Sequence, residues 1–164
     1  MSYWFDDTAV CVTYVRGLTP EEALDRLDAM VTDDDSLDQY AVAAFAVDGG
    51  VVLAEPNGFA TTLDDVITKL SKGTVAATVF FNVNLDQQFV YAADGVVVTQ
   101  FEPDQPGDRA GSDPDALLPQ MRQLGMEADS DLDKATELAE LVTGLTLPDD
   151  DAEPDLIGEL PEYY

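Results

Sequence analysis

The sequence predicts an α+β fold: a largely antiparallel sheet of about six strands with helices packed on one face. Three observations carry the prediction. The apolar, β-rich runs come mostly in pairs joined by glycine turns. Helix signals stand at intervals between these pairs rather than after every strand. No glycine-rich phosphate loop follows the first β-run, since "RGLTP" lacks the spaced glycines of a dinucleotide-binding unit.

The elements follow in order. "AVCVTYV" (9–15) alternates Val10, Val12 and Tyr14 against Cys11, Thr13 and Val15, the two-residue period of a strand. "RGLTPEEALDRLDAMV" then changes period. Thr19 is a good N-cap, Pro20 suits the first helical position and Glu22 closes a capping box. Leu24, Leu27, Met30 and Val31 fall on one face of the predicted helix. After the polar "TDDDSLD", the runs "QYAVAAFAV" and "VVLAE" flank Asp48-Gly49-Gly50 and read as a hairpin. Thr61 or Thr62 is placed to cap a second helix with Leu63, Val66, Ile67 and Leu70 inward and Gly73 as its stop. "TVAATVFFNV", "QFVYA" and "VVVTQF" predict a three-strand meander with an Asp94-Gly95 turn. Beyond it, Asp113 and Pro114 predict a helix start. Leu117, Leu118, Met121 and Leu124 form the apolar face of that helix, and Gly125 ends it. Pro119 lies within this pattern and should kink it or confine regular hydrogen bonding to the part after it. Ser130 is the expected cap of a last helix burying Leu132, Ala135, Leu138, Ala139 and Val142. "LPDDDAEPDLIGELPEYY" holds seven acids, three prolines and no base. It is expected to be extended or mobile, with Leu156, Ile157 and the final tyrosines able to dock. The expected organisation is one domain over 1–147 and an acidic tail over 148–164.

Charge is the dominant compositional feature. Thirty-four acidic residues against seven basic ones give a net charge of −27, denser toward the C-terminus. A field of that sign repels nucleic acid and anionic membranes and attracts basic proteins. Direct nucleic-acid binding is therefore not expected, although carboxylates imitating phosphate spacing leave DNA mimicry open. The same composition also suits a solubilising surface or a salty cytoplasm. No apolar run reaches the length of a membrane span. The N-terminus is acidic and aromatic rather than basic and apolar, and Cys11 is the single cysteine. Together these favour the cytoplasm.

Several chemistries lack their residues. The chain has no histidine, which removes histidine-based triads, histidine metal sites and the commonest general base. Cys11 sits in the middle of an apolar strand, where a thiol is ordinarily inert. Asp129, Asp131, Asp133 and Glu140 match part of a calcium-loop spacing, but Lys134 occupies the position that needs glycine. The stretch reads better as a capped helix with acids in its first turn. Neither a metal nor another cofactor is expected. Carboxylate pairs remain the one enzymatic option, and their abundance carries no discrimination.

The stretch "FEPDQPGDRAGSDPD" (101–115) would splay from like charge unless tied. Arg109 is its only base and is expected to act as an internal clasp on neighbouring carboxylates. Candidate partner contacts are the acidic runs Asp33, Asp34, Asp35 and Asp149, Asp150, Asp151, together with Tyr163 and Tyr164. Structural roles fall to Arg109, Asp113, Thr19 and Glu22.

The strings "CVTYVRGLTPEEAL", "GTVAATVFFNVN", "FVYAADGVVVTQFEP" and "DRAGSDPDALLPQM" with "ELAELVTGLTL" occur in this order. In this the chain resembles a family of uncharacterised actinobacterial proteins, a domain of unknown function, over roughly residues 4–147. The resemblance implies a single bacterial domain from a high-GC soil organism and implies no reaction. The expectation from the residues is a non-catalytic, acidic protein-binding domain, such as an immunity-type or inhibitor protein covering a basic toxin. The alternative is a small-ligand-binding or regulatory domain with Phe80, Phe81, Asn82 and Asn84 as candidate lining. A carboxylate enzyme is the third possibility.

Overall fold

The structure is a computed structural model and describes residues 10–33, 40–56, 58–126, 130–149 and 152–163. Among them are eight strands and four α-helices. In chain order these are β1 (Val10–Arg16), α1 (Pro20–Arg26), β2 (Met30–Thr32), β3 (Ala41–Val47) and β4 (Gly50–Glu55). A 3₁₀ turn (Ala60–Thr62) precedes α2 (Asp64–Ser71), β5 (Val75–Phe81), β6 (Gln87–Ala93) and β7 (Val96–Phe101). The chain continues with α3 (Leu118–Gln123), α4 (Leu132–Thr143) and β8 (Leu156–Glu159). The strands form one sheet in the order β2-β8-β3-β4-β1-β5-β6-β7, and every neighbouring pair is antiparallel.

Two features depart from the predicted class. The sheet has eight strands rather than about six, and helices cover both of its faces. Val15, Val42, Leu53, Ala76 and Val90 pack with Leu24 and Leu27 of the first helical segment and with Val66, Ile67 and Leu70 of α2. On the other face Val10, Val12, Tyr14, Val79, Phe89 and Phe101 pack with Met121 of α3 and with Ala135, Leu138 and Ala139 of α4. β1 and β4 are buried along almost their whole length, on alternating sides. That is the pattern of a strand with both faces covered.

The added strands come from segments read otherwise. α1 is capped as expected, with Thr19 and Glu22 in a reciprocal capping box. It ends at Arg26, because Asp28 adopts a left-handed φ of 56° and the Ala29 N–H closes onto the Leu24 carbonyl. Met30 and Val31 therefore leave the helix and form β2, where both side chains are exposed. Residues 156–159, expected in an extended tail, lie between β2 and β3. Asp155 fastens the approach, its N–H donating to Ala44 O and its Oδ2 accepting from Ala46 N (2.8 Å). Gly158 makes the seat possible: a Cβ there would lie 3.0 Å from Leu24 Cδ2 and 3.1 Å from Ala29 Cβ.

Three caps also differ. Thr61 and Thr62 form the 3₁₀ turn, and α2 begins after Leu63 without a side-chain cap. Asp113 caps no helix: residues 114–117 form turns, and α3 starts at Leu118 with Pro119 inside its first turn, where the missing proline N–H costs nothing. The cap of α4 is Asp131, whose Oδ1 accepts from Lys134 N at 3.0 Å, rather than Ser130.

The acidic stretch after β7 edges the sheet. Ala110 pairs with Gln100, and the N–H groups of Ser112 and Asp113 donate to Val97 and Val98. Gly111 permits this approach, since a Cβ there would lie 2.3 Å from the Val98 carbonyl oxygen. Arg109 holds the loop. Its Nη2 donates to Asp115 Oδ1 at 2.7 Å and its Nη1 to Pro106 O at 2.6 Å.

Candidate functional site

A cavity of about 580 Å³ opens on the α4 side of the sheet, at the end of β1 and β5. Its walls are Val10, Val12 and Tyr14 of β1, Val79 and Phe81 of β5, Gln87 of β6 and Leu132 and Thr136 of α4. Asn82, Val83 and Leu85 of the β5–β6 turn, Asp133 and Leu147 complete the lining. Strand alternation puts Val10, Val12 and Tyr14 on one side, and α4 lies across them. The turn is knitted by Asn82, whose Oδ1 accepts from Asn84 N (2.9 Å) and Asp86 N (3.0 Å). Leu85 in this turn has a φ of 68° and is 83% exposed. Such a conformation is uncommon for a bulky residue. Val83 and Leu147 are exposed beside it, so the mouth carries an apolar rim.

Two polar atoms of cavity-lining residues, the Tyr14 hydroxyl and Gln87 Oε1, are shielded from solvent and have no hydrogen-bond partner among the described residues. Tyr14 is 1% exposed. Burial, with a smaller contribution from the charge of Glu140, pushes its hydroxyl well above the ordinary tyrosine range, so it remains protonated.

A second polar cluster lies on the opposite face. Glu55, at the end of β4, is 1% exposed. Its Oε1 accepts from Ala60 N (3.0 Å), and its Oε2 accepts from Thr61 N (3.2 Å) and Thr61 Oγ1 (2.8 Å). Cys11 Sγ stands 2.9 Å from the same threonine hydroxyl. Thr13 and Thr78 share a hydrogen bond at 2.9 Å, and Thr78 Oγ1 donates to Thr61 O. Burial raises the Glu55 carboxyl above its usual value against the pull of these donors. Burial, followed by the Glu55 charge, raises the Cys11 thiol well above the normal cysteine range. The sulfur is thus held as a thiol, without the activation a nucleophile needs. The arrangement ties Ala60 and Thr61 to the sheet.

The residues singled out from the sequence do not converge on one site. Asp33 and Asp149 are exposed; Asp34, Asp35, Asp150, Asp151 and Tyr164 lie outside the described residues. Tyr163 is half-buried against the α1–α2 core, its hydroxyl donates to Leu27 O at 2.6 Å, and Lys69 Nζ stands over its ring at 5.6 Å. Asp113 is exposed, and Arg109 is clasped by Asp115. Phe81 and Asn82 line the cavity, whereas Phe80 faces the other side of the sheet against Phe59. Tyr14, Gln87 and Glu55 were not singled out. An available signal for Tyr14 is a hydroxyl-bearing aromatic in an otherwise apolar strand. For Glu55 it is an acid closing an apolar run. Among the described residues, no group of three or more acidic, cysteine or histidine side chains is placed to hold a metal ion.

Basic side chains act mostly on the chain itself. Arg16 Nη1 donates to Thr143 O at the end of α4 (3.1 Å), and Arg26 Nη1 reaches Lys69, Leu70 and Lys72 carbonyls at the end of α2. Both place a cation at the negative end of a helix dipole. Lys69 pairs with Asp28 at 3.0 Å. The described acids, apart from buried Glu55 and half-buried Glu140, are exposed. No helix among the described residues is long and apolar enough to cross a membrane.

Comparison with curated proteins and with solved structures finds no match for this chain. A family model does match, over residues 30–148. That span includes the cavity's β5, β6 and α4 walls and the "FEP" and "GSDPDALLP" elements. It begins after "RGLTPEE", later than the resemblance in the sequence suggested. The match covers most of the chain, which therefore belongs to the family of unknown function DUF6461.

Proposed function

We propose that this chain is a non-catalytic binding domain that uses its acidic surface to engage a basic protein, in the manner of an immunity-type or inhibitor protein masking a cationic toxin. The observation that supports this reading is the division of charge. Arg16, Arg26, Lys69 and Arg109 are turned to the protein's own carbonyls and carboxylates, while the acids face solvent. The surface left to a partner is overwhelmingly negative, which steers a cationic counterpart and raises its association rate. An actinobacterial source and a cytoplasmic location belong to the same reading.

The test is affinity capture by the full chain at low salt from extracts of the source organism. Reconstitution with the purified partner follows. The expected result is a basic protein whose affinity falls steeply as salt rises. Retention of no basic protein, or an affinity indifferent to salt, defeats the proposal.

One observation favours a second reading. The cavity between β1, β5 and α4 has a volume typical of small-molecule sites, which run from about 300 to 1,000 Å³, and its walls are mostly apolar. In this reading the domain binds a small ligand, and the β5–β6 turn guards the entrance.

A further inference from the structure

On the α2 face of the sheet the strand register sets a ring, an amide and a carboxylate abreast. Phe80 of β5 pairs with Gln88 of β6. Glu102 directly follows Phe101, the partner of Phe89, which brings it beside Gln88. The Asn82 N–H donates to Asp86 O and so extends the β5–β6 ladder into the turn. Strand alternation therefore gives Asp86 the same side as Gln88 and Phe80. Phe59, its ring centroid 6.1 Å from that of Phe80, stands along the resulting groove of about 470 Å³. Gln88 and Gln100 also line it, with Gln88 Nε2 donating to Gln100 Oε1 at 3.2 Å.

The groove combines two attractions for one kind of group. Asp86 and Glu102 both line it and both lie open to solvent, so a partner reaches their carboxylates from outside. No basic side chain is among its lining residues. A cation is drawn to these carboxylates and also to the faces of the phenylalanine rings. A guanidinium serves both at once, because it is planar enough to lie on a ring and carries paired N–H groups that fit a carboxylate. A lysine ammonium is a compact point charge without that fork. A second copy of this chain is a poor occupant, since each copy carries a net charge of −27.

We infer that this groove receives an arginine side chain of the basic partner protein. The guanidinium lies against the Phe80 ring and donates to Glu102, with Asp86 as the second carboxylate. The assignment rests on the protein-binding reading above and adds the place on the acidic surface where the partner is held and the side chain that holds it.

The test titrates the isotope-labelled full chain with acetyl-Gly-Arg-Gly-amide at moderate salt and follows backbone amide chemical shifts. Matching peptides carry lysine or the neutral isostere citrulline at the centre. The arginine peptide should move the amides of Phe80, Gln88, Gln100 and Glu102. It should bind about tenfold more tightly than the citrulline peptide, the ratio of a charge-assisted to a neutral hydrogen bond, and more tightly than the lysine peptide. Glu102→Gln, at an exposed position, should weaken the arginine peptide several-fold. Phe80→Leu keeps an apolar side chain but removes the ring face, and should weaken it about two- to fivefold. Asp25→Asn removes the same charge on α1, which packs beside β2, β3 and β8 at the other end of the sheet, and should change nothing. Equal binding of the arginine peptide and either of the other two overturns the arginine assignment. Shifts spread over the acidic surface, or equal weakening by Asp25→Asn and Glu102→Gln, would mean attraction by the overall field and overturn the groove while the protein-binding reading survives. Absence of any shift also overturns the inference. The affinity capture described above decides the wider reading separately: a basic protein retained equally by wild type and Glu102→Gln keeps that reading and removes the groove from it.

Discussion

Replacing Glu55 probes the most demanding polar arrangement in the fold. In Glu55→Ala the N–H groups of Ala60 and Thr61 and the Thr61 hydroxyl lose their acceptor at a site with almost no access to water. Each orphaned donor costs about 1–3 kcal/mol. Because the three are neighbours that relax together, their sum is not additive, and a loss of about 3–5 kcal/mol is expected. Folded domains have about 5–15 kcal/mol in total, so the variant should still fold and be measurable by urea denaturation. Glu55→Gln supplies the pH test. Burial raises the folded-state pKa of Glu55 above its unfolded value of about 4.3. The stability tied to its protonated form is fully present below that pH. It is lost at about 1.4 kcal/mol per pH unit as pH climbs toward the folded value. Glutamine does not titrate. The advantage of wild type over Glu55→Gln should therefore be largest near pH 4 and narrow as pH rises. A loss under about 1 kcal/mol in Glu55→Ala, less than one such orphaned donor, or a gap that widens with pH, refutes the account of this site.

Four further outcomes are expected. Gly158→Ala should cost about 1–3 kcal/mol by overpacking against Leu24 and Ala29 and should weaken hydrogen-exchange protection along β8 and β3; unchanged stability would mean that β8 is not seated as described. Arg26→Ala removes the donor to three carbonyls at the end of α2 and should cost about 1–2 kcal/mol in chemical denaturation, with no loss contradicting the cap. Arg109→Ala frees the loop from Asp115 and Pro106, so exchange of the Ala110, Ser112 and Asp113 amides should accelerate about tenfold; identical exchange would dismiss the clasp. Raising NaCl from about 0.05 to 0.5 M should raise Tm by screening repulsion among the exposed acids, and a Tm that falls would contradict that repulsion.

Local chemistry was read well wherever the signal is carried by neighbours along the chain. The Thr19–Glu22 box, the β3–β4 hairpin, the β5–β6–β7 meander and the inward Val66, Ile67 and Leu70 all depend on residues within a turn or a hairpin of each other. The misreadings share a cause. Met30 and Val31 match a helical period, yet a left-handed Asp28 closes the helix two residues earlier and β8 recruits them as a strand. Residues 156–159 carry too little apolar content to declare a strand, and gain their place by pairing with β2 on one side and β3 on the other. Ser130 and Asp131 are equivalent caps in sequence, and only the geometry at the start of α4 separates them.

What the sequence determined by itself was the α and β content of most segments, the antiparallel hairpins and the sign of the molecular field, because periodicity, turn residues and charge are local or additive properties. What only the tertiary structure decided was which strands lie side by side, that helices cover both faces, and that Tyr14, Gln87 and Asp133 meet on one cavity. Those facts depend on residues tens of positions apart coming into contact, and no pattern within a single segment encodes which distant segment will cover it.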